Sequence, residues 1–119
     1  MTKPVDQSMY PAMTKELADQ RAKLTPDMNA AFKAFNASVF ADGALSRKTK
    51  LLIAVAVAHV TQCPYCIRNN VERVVKLDVT EQEIMEAIWV AAEMRAGAAL
   101  AHSTLALDAI NHSEGQHSF

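Results

Sequence analysis

The segment from Leu51 to Val60 constrains the fold most, because it is apolar at every position except His59. It has about half the length that a membrane-spanning helix needs, so it predicts a buried element rather than a span. Ser46 is a typical helix N-cap and predicts a helix from Arg47 to about Val60. A helix that is apolar on all sides is buried all round. In a chain of 119 residues, we expect contacts between subunits to cover part of it.

The rest of the sequence predicts one all-α domain over residues 1–119, because turn formers are scarce and strand alternation is missing. There are only three glycines and four prolines, and alanine is frequent. The net charge is −1 with both signs spread along the chain, which argues against nucleic-acid or membrane partners. The N-terminus is polar with no apolar core of a signal peptide behind it, so we expect a cytoplasmic protein.

Cap residues and apolar periodicity predict the other helices. They extend from 14 to about 23, from 26 to about 40, from 63 to about 76, and from 80 to at least 92. Gly97 either breaks or loosens the last of these, and a further helical pattern follows. The helix after residue 63 is expected to bury a stripe that consists of Ile67, Val71, Val74 and Val75. Residues 1–13 are expected to pack on a neighbour, and residues 111–119 to fray.

The segment Gln62-Cys63-Pro64-Tyr65-Cys66 carries two cysteines three positions apart. Pro64 fits the first position of a helix, which needs no N–H donor. Cys63 then lies at the helix cap and Cys66 one turn inside, where the two can close a disulfide. The free N–H groups at a helix start stabilise a thiolate. The pair therefore predicts a redox-active dithiol that attacks a disulfide or a peroxide and then closes on itself.

Three other interpretations of the cysteine pair stay open. The first is a structural disulfide, which is disfavoured because a cytosolic compartment keeps such bonds reduced. The second is half of a zinc site. His59 and His102 would have to supply the other two ligands, because the chain has no further cysteine. The third is a buried and inert pair of thiols. We expect no metal and no cofactor.

Two polar residues near the pair are candidates for handling protons or hydrogen bonds. His59 lies four residues before Cys63, and it would stabilise a thiolate as a cation or accept the thiol proton when neutral. The alternative for His59 is a core histidine satisfied by a backbone carbonyl. Asn70 lies four residues after Cys66 on the same helix face, where it hydrogen-bonds but transfers no proton.

Three other residues have weaker links to the site. Tyr65, between the cysteines, would either orient a substrate or pack. Arg73 would lend positive charge, and its alternative is a solvated surface arginine. His102 would face the same pocket or another subunit.

Five motifs form a recognisable series along the chain: LSRKTK at 45–50, AVAVAH at 54–59, QCPYCI at 62–67, TEQEI at 80–84 and MRAGAALAH at 94–102. The region 45–107 thereby resembles the carboxymuconolactone decarboxylase superfamily, and within it the alkylhydroperoxidase AhpD-like branch. The resemblance implies an all-α fold around a helical hairpin that carries the cysteines. It also implies a homotrimer or homohexamer, with helices swapped or packed between subunits.

The resemblance further implies roles for the two cysteines. In the AhpD-like branch the second cysteine attacks the peroxide and the first resolves the sulfenic acid, which would make Cys66 the attacking thiol and Cys63 the resolving one. The position of the cysteines on the helix favours the opposite order, because an N-capping Cys63 lies nearer to the helix end.

The glutamate–histidine proton relay of the AhpD-like branch does not carry over to this chain. Its histidine position falls on Asn70 and its glutamate position on Leu51, and neither side chain moves a proton. Losing a well-placed acid–base group costs roughly two to four orders of magnitude in rate. Either His59 substitutes, or peroxide reduction is slow, or the pair serves general thiol–disulfide exchange.

The sequence thus favours an antioxidant thiol oxidoreductase that reduces a hydroperoxide or disulfide through a Cys63–Cys66 disulfide. An unidentified reductant partner would restore the dithiol. The alternative is a non-catalytic oligomeric redox sensor or binding protein that has lost the relay.

Overall fold

Five helices account for most of the computed structural model, which describes residues 8–113. They are α1 (Lys15–Leu24), α2 (Pro26–Phe40), α3 (Arg47–Thr61), α4 (Pro64–Val74) and α5 (Glu81–Ser113). No strand occurs in this range, so the all-α prediction is confirmed. Expectations for residues 1–7 and 114–119 lie outside the described part.

At the predicted starts of α1, α3 and α5, side-chain oxygens accept backbone N–H groups, which confirms these starts. The side chains of Thr14 and Ser46 each accept a backbone N–H three residues later, at the starts of α1 and α3. At α5 the arrangement is reciprocal. The Glu83 N–H donates to Thr80 Oγ1 at 3.1 Å, and the Thr80 N–H donates to Glu83 Oε1 at 2.9 Å. These bonds satisfy N–H groups that a helix start leaves without intrahelical partners.

The core lies where α3 packs against α4 and α5. Four buried side chains form it: Leu51 and Val55 from α3, Val74 from α4 and Ile84 from α5. Partly buried apolar side chains surround this cluster, namely Phe40, Leu52, Val71, Leu77, Val79 and Ile88. Helices α3 and α4 thus form the helical hairpin that carries the two cysteines.

Within residues 8–113, helix α3 is covered by its own chain on one side only, as expected for a helix apolar all round in so small a chain. That a second subunit covers the other side stays a prediction. Leu51, Val55 and Ala58 are buried, but Ile53 and Val57 on the opposite side remain 47% and 51% exposed. The described chain supplies packing partners for one side only, since α4 and α5 contact the same buried stripe.

The stripe of α4 that was expected to be buried is only partly so, since Ile67 and Val71 are half-buried. Val74 is fully buried, whereas Val75 is 54% exposed because it is the C-cap residue, where the chain leaves the helix. The buried polar residue of this helix is Asn70.

Helix α5 continues through Gly97 without a break and includes residues 111–113, which were expected to fray. A Cβ at Gly97 would lie 3.3 Å from Glu93 Oε1, so the glycine relieves crowding by one side chain rather than ending the helix. No helix within residues 8–113 is both long and apolar enough to span a bilayer.

Candidate functional site

The turn between α3 and α4 places the first cysteine. Gln62 adopts a left-handed conformation (φ 56°, ψ 47°), and the N–H groups of both Gln62 and Cys63 point back to the Ala58 carbonyl. The Cys63 N–H donates to this carbonyl at 3.1 Å. Such a reverse turn satisfies the free carbonyls at the end of a helix, but it usually employs glycine. Cys63 therefore follows α3 directly and starts α4.

Cys63 caps α4 as the sequence predicted. Its Sγ accepts the Cys66 N–H at 3.2 Å, its carbonyl accepts the Ile67 N–H at 2.9 Å, and Pro64 occupies the first turn. The two cysteines form a disulfide, with their Cα atoms 5.2 Å apart. Cys63 is half-buried and Cys66 is exposed. The helix start thus favours a thiolate at Cys63, while Cys66 is more open to a reactant.

A groove of about 680 Å³ lies beside Cys66, and we call it the Cys66 groove. It runs between residues 10–13, which we call the N-terminal segment, and helices α1, α2 and α4. Its lining consists of Ala12, Met13, Arg21, Phe32, Tyr65, Cys66, Arg68, Asn69 and Glu72. The sulfur side of the site therefore opens on a surface with both apolar and charged side chains.

A second groove, of about 720 Å³, lies on the other side of α4 and is called here the His59 groove. It is lined by His59, Gln62, Pro64, Ile67, Arg68, Val71 and Glu72. Arg68 and Glu72 line both grooves, so they form the ridge between them. Neither cysteine lines the His59 groove.

His59 forms a hydrogen bond to a backbone carbonyl, as expected if it is a core histidine. Its Nδ1 lies 2.7 Å from the Val55 carbonyl one turn earlier, so the neutral ring carries its proton on Nδ1 and leaves Nε2 as a base. Among residues 8–113 it forms no hydrogen bond to either sulfur. A role for His59 in the chemistry stays a prediction.

Asn70 is 9% exposed and belongs to a small polar network. The Arg73 guanidinium donates to Asn70 Oδ1 at 3.5 Å and lies over the Phe40 ring, 4.5 Å from its centroid. Arg47 donates to the Phe40 carbonyl at 3.3 Å. Burial, and then repulsion from Arg47, lower the pKa of Arg73 below its ordinary value. Arg73 is thus tied to Asn70 and Phe40 rather than freely solvated.

The position that carries the relay glutamate in the AhpD-like branch is Leu51 here, and the structure places it in the core. Leu51 is fully buried with Val55, Val74 and Ile84. An ionised carboxylate would be costly among these side chains. The relay positions of this chain thus hold a core leucine and a buried amide.

Tyr65 binds the N-terminal segment. Its hydroxyl donates to the Pro11 carbonyl at 2.8 Å, and its ring meets Tyr10 edge-on at 6.1 Å between centroids. Residues 10 and 11 therefore pack on their own chain, beside the cysteines, and need no neighbour for this contact.

His102 does not join the other candidates. It lies within residues 98–113, where α5 is exposed at every position. In the described chain no group of three or more His, Cys, Asp or Glu side chains is arranged to hold a metal ion. His59 and His102 therefore do not complete a zinc site with the cysteines within one chain.

Two residues of the site were missed by reasoning from sequence. Gln62 takes the left-handed position without the glycine that would have signalled it. Arg95 of α5 donates to the Val60 carbonyl at 2.7 Å and so ties α5 to the end of α3, next to the cysteine turn. Arg95 falls within the MRAGAALAH motif, but nothing local indicated its partner.

Comparisons with known proteins agree with this architecture. The model of the carboxymuconolactone decarboxylase family matches residues 26–109. A protein of Paracoccus denitrificans, described as uncharacterized protein 4 in the cox locus, is 59% identical over 85 residues, covering 71% of this chain and 77% of its own.

Two solved structures are also similar. A protein from Methanobacterium thermoautotrophicum is 34% identical with a TM-score of 0.70, over 76% of this chain and 98% of its own. An apo-form carboxymuconolactone decarboxylase family protein from Legionella pneumophila is 36% identical with a TM-score of 0.64, over 82% and 90%. The family match, the helical hairpin and these relatives together show that this chain belongs to the carboxymuconolactone decarboxylase family.

Proposed function

We propose that the protein is an AhpD-like thiol oxidoreductase that reduces hydroperoxides or disulfides through a Cys63–Cys66 cycle. The observation that carries the proposal is the placement of the pair. Cys63 Sγ accepts a backbone N–H at the start of α4, and Cys66 lies exposed at the edge of a groove. A helix start and access to solvent are the conditions that make a cysteine reactive rather than inert.

The proposed cycle with a hydroperoxide has two chemical steps. The attacking thiolate sulfur bonds to the distal oxygen of the hydroperoxide, the O–O bond breaks, and the alcohol leaves after taking a proton. The second thiol then attacks the resulting sulfenic acid, an S–S bond forms, and water leaves. For a disulfide substrate, thiol–disulfide exchange gives the same Cys63–Cys66 disulfide and two substrate thiols. A reductant partner of the dithiol class restores the pair.

We assign the attack to Cys66 and the resolving step to Cys63. The exposure of Cys66 and its position in the Cys66 groove support this order. The hydrogen bond to Cys63 Sγ supports Cys63 as the leaving thiolate when the reductant opens the disulfide, because a stabilised thiolate leaves faster.

The experiment is a thiol count on reduced protein after mixing with tert-butyl hydroperoxide or with a model disulfide. We expect two thiols to be lost per chain with at least one oxidant at neutral pH. In Cys66→Ser the attacking thiol is missing, and we expect the remaining Cys63 thiol to survive. If both thiols survive both oxidants, the proposal fails. Replacing a matched exposed residue outside the grooves, Ser38→Ala, serves as the control.

His59 has a separate test. Because its Nε2 is the free base of the neutral ring, His59→Ala should slow iodoacetamide alkylation and shift its pH profile if the imidazole assists the thiol. His59→Gln, which retains a hydrogen-bond donor but no base, is the matched variant. An unchanged pH profile in both would remove His59 from the mechanism.

A redox sensor is the second candidate, because the relay positions hold the buried residues Leu51 and Asn70. Turnover with excess dithiothreitol as regenerating reductant separates the two functions. An enzyme consumes many equivalents of hydroperoxide or disulfide, whereas a sensor that oxidises once and stays oxidised does not cycle.

We also propose that the chain acts as a homotrimer or homohexamer in the cytoplasm. Support comes from large apolar side chains left exposed on α3 and α5, outside both grooves, which exceed what a lone small domain usually shows. A reducing compartment would return the disulfide to the dithiol state.

A further inference from the structure

The Cys66 groove is bordered by parts of the chain that are fixed to one another. The Tyr65 hydroxyl donates to the Pro11 carbonyl at 2.8 Å, and the Arg21 guanidinium donates to Met13 Sδ at 3.7 Å. These contacts hold the N-terminal segment against both α4 and α1. The side of the groove that Ala12 and Met13 line is therefore part of the folded chain.

One side of this groove offers apolar contact. Met13, Phe32 and Tyr65 line it, and the first two are 53% and 70% exposed. An extended apolar chain laid along these side chains would remove their surface from water, which stabilises binding in proportion to the apolar area. The groove volume of about 680 Å³ lies within the range of small-molecule sites, roughly 300–1,000 Å³.

The charged side chains of the groove do not neutralise one another. The lining contains two arginines, Arg21 and Arg68, and one acid, Glu72, so it carries an excess of positive charge. Arg68 and Glu72 are four residues apart on α4, yet across residues 8–113 neither takes part in an ion pair. A guanidinium presents parallel N–H donors that match the two oxygens of a carboxylate.

We infer that the Cys66 groove binds a hydroperoxide that carries an apolar chain and a carboxylate, of the fatty-acid hydroperoxide class. The apolar chain lies along Met13, Phe32 and Tyr65, and the carboxylate is held by Arg68 with Arg21. The O–O group then meets the Cys66 sulfur and reacts by the cycle given above, leaving a hydroxy acid and water. This inference rests on the proposed function.

The test compares three hydroperoxides at the same submicellar concentration with fully reduced protein. They are linoleic acid hydroperoxide, its methyl ester and tert-butyl hydroperoxide, and the measurement is the rate of thiol loss. We expect the acid to react faster than the ester by roughly three- to tenfold at low salt, and the ratio to fall towards one as salt is added.

Two variants locate the carboxylate contact. Arg68→Gln and Arg21→Gln should each lower the acid-to-ester ratio, and their combination should bring it to about one. The matched control is Lys76→Gln, which removes the same charge from an exposed position outside the groove and should retain the wild-type ratio. Using a ratio cancels any effect of the variants on the thiols themselves.

The outcomes are distinct. Equal rates for acid and ester in the wild type, or an unchanged ratio in the double variant, overturn the substrate assignment. If tert-butyl hydroperoxide oxidises the pair while the acid has no advantage, only the substrate class is wrong. If none of the three oxidises the thiols and a model disulfide also fails, the proposed function fails together with it.

Discussion

The α3–α4 hairpin and the C-terminal half of α5, residues 98–113, are both regular helix, but they are supported in different ways. The hairpin contains the buried Leu51, Val55 and Val74 and has its turn fixed by hydrogen bonds to the Ala58 carbonyl. Residues 98–113 are exposed at every position. Because isolated helices of this length are marginal in water, we expect the second region, unlike the hairpin, to depend on the subunit contacts proposed above.

The largest expected effect tests whether the core of the hairpin is stabilised within one chain. Leu51→Ala should lower the free energy of unfolding by roughly 2–5 kcal/mol, since the side chain is fully buried in the core. Chemical denaturation at several protein concentrations measures it. Leu105→Ala removes the same side chain from the exposed half of α5, and its cost should depend on protein concentration because its contacts would be intermolecular. A concentration-dependent cost for Leu51→Ala would contradict the comparison.

The next effect concerns assembly through the exposed half of α5. Leu100 and Leu107 are 75% and 58% exposed and lie two helical turns apart on one side. Placing aspartate at both should dissociate the proposed oligomer to single chains of 13.0 kDa in sedimentation velocity. Lys76→Asp makes the same change in net charge outside α5 and should leave the assembled size as it was. A wild-type protein that is already a single chain would refute the expectation.

A smaller effect is expected at the cap of α4. Cys63→Ala removes the acceptor of the Cys66 N–H and should destabilise the reduced protein by about 0.5–1 kcal/mol. Cys63→Ser keeps an acceptor at the same position and should cost less. Urea unfolding under reducing conditions separates the two variants, and equal stabilities would show that the sulfur does not cap the helix.

The turn between α3 and α4 should gain stability from one substitution. Gln62→Gly relieves a left-handed backbone that is unfavourable for a side chain, and we expect a gain of about 0.5–1 kcal/mol in the unfolding free energy. Gln62→Ala keeps the unfavourable conformation and should show no gain. A loss of thiol reactivity in both variants would indicate a functional side chain at this position.

The smallest effect is a pH dependence at the start of α5. The Thr80 backbone N–H, and then the Lys48 side chain, lower the pKa of Glu83. A lowered pKa in the folded state gives stability that is present above the unfolded value and lost as the pH falls through the folded one. Glu83→Gln should therefore be slightly less stable than wild type above roughly pH 5.5, with the difference vanishing in acid. Thermal melts from pH 3 to 7 follow it, with the exposed Glu86→Gln as control.

Local sequence was sufficient for the helices and for the place of the cysteines. Cap residues, proline at first helical positions and apolar spacing depend on interactions within four residues, so the starts of α1, α2, α3, α4 and α5 could be predicted. The cap at Cys63 is of the same kind. The motifs were also sufficient to identify the family.

Contacts between distant parts of the chain could not be predicted in this way. The hydrogen bond from Tyr65 to Pro11 joins residues 54 positions apart, and the bond from Arg95 to Val60 joins residues 35 apart. The spacing of His59 and Cys63 indicated that the two were close, but the ring turns to the Val55 carbonyl in its own helix. Such choices depend on which surfaces meet after the helices pack.

The sequence by itself determined an all-α chain with a cysteine pair at a helix start, because those features rest on hydrogen bonds between near neighbours. Only the tertiary structure decided which side of α3 is buried, that Asn70 lies inside, and that Cys66 faces a groove walled by the N-terminal segment. It also separated His102 from the cysteines. The physical reason is that burial and access depend on how whole helices pack, which local spacing does not specify.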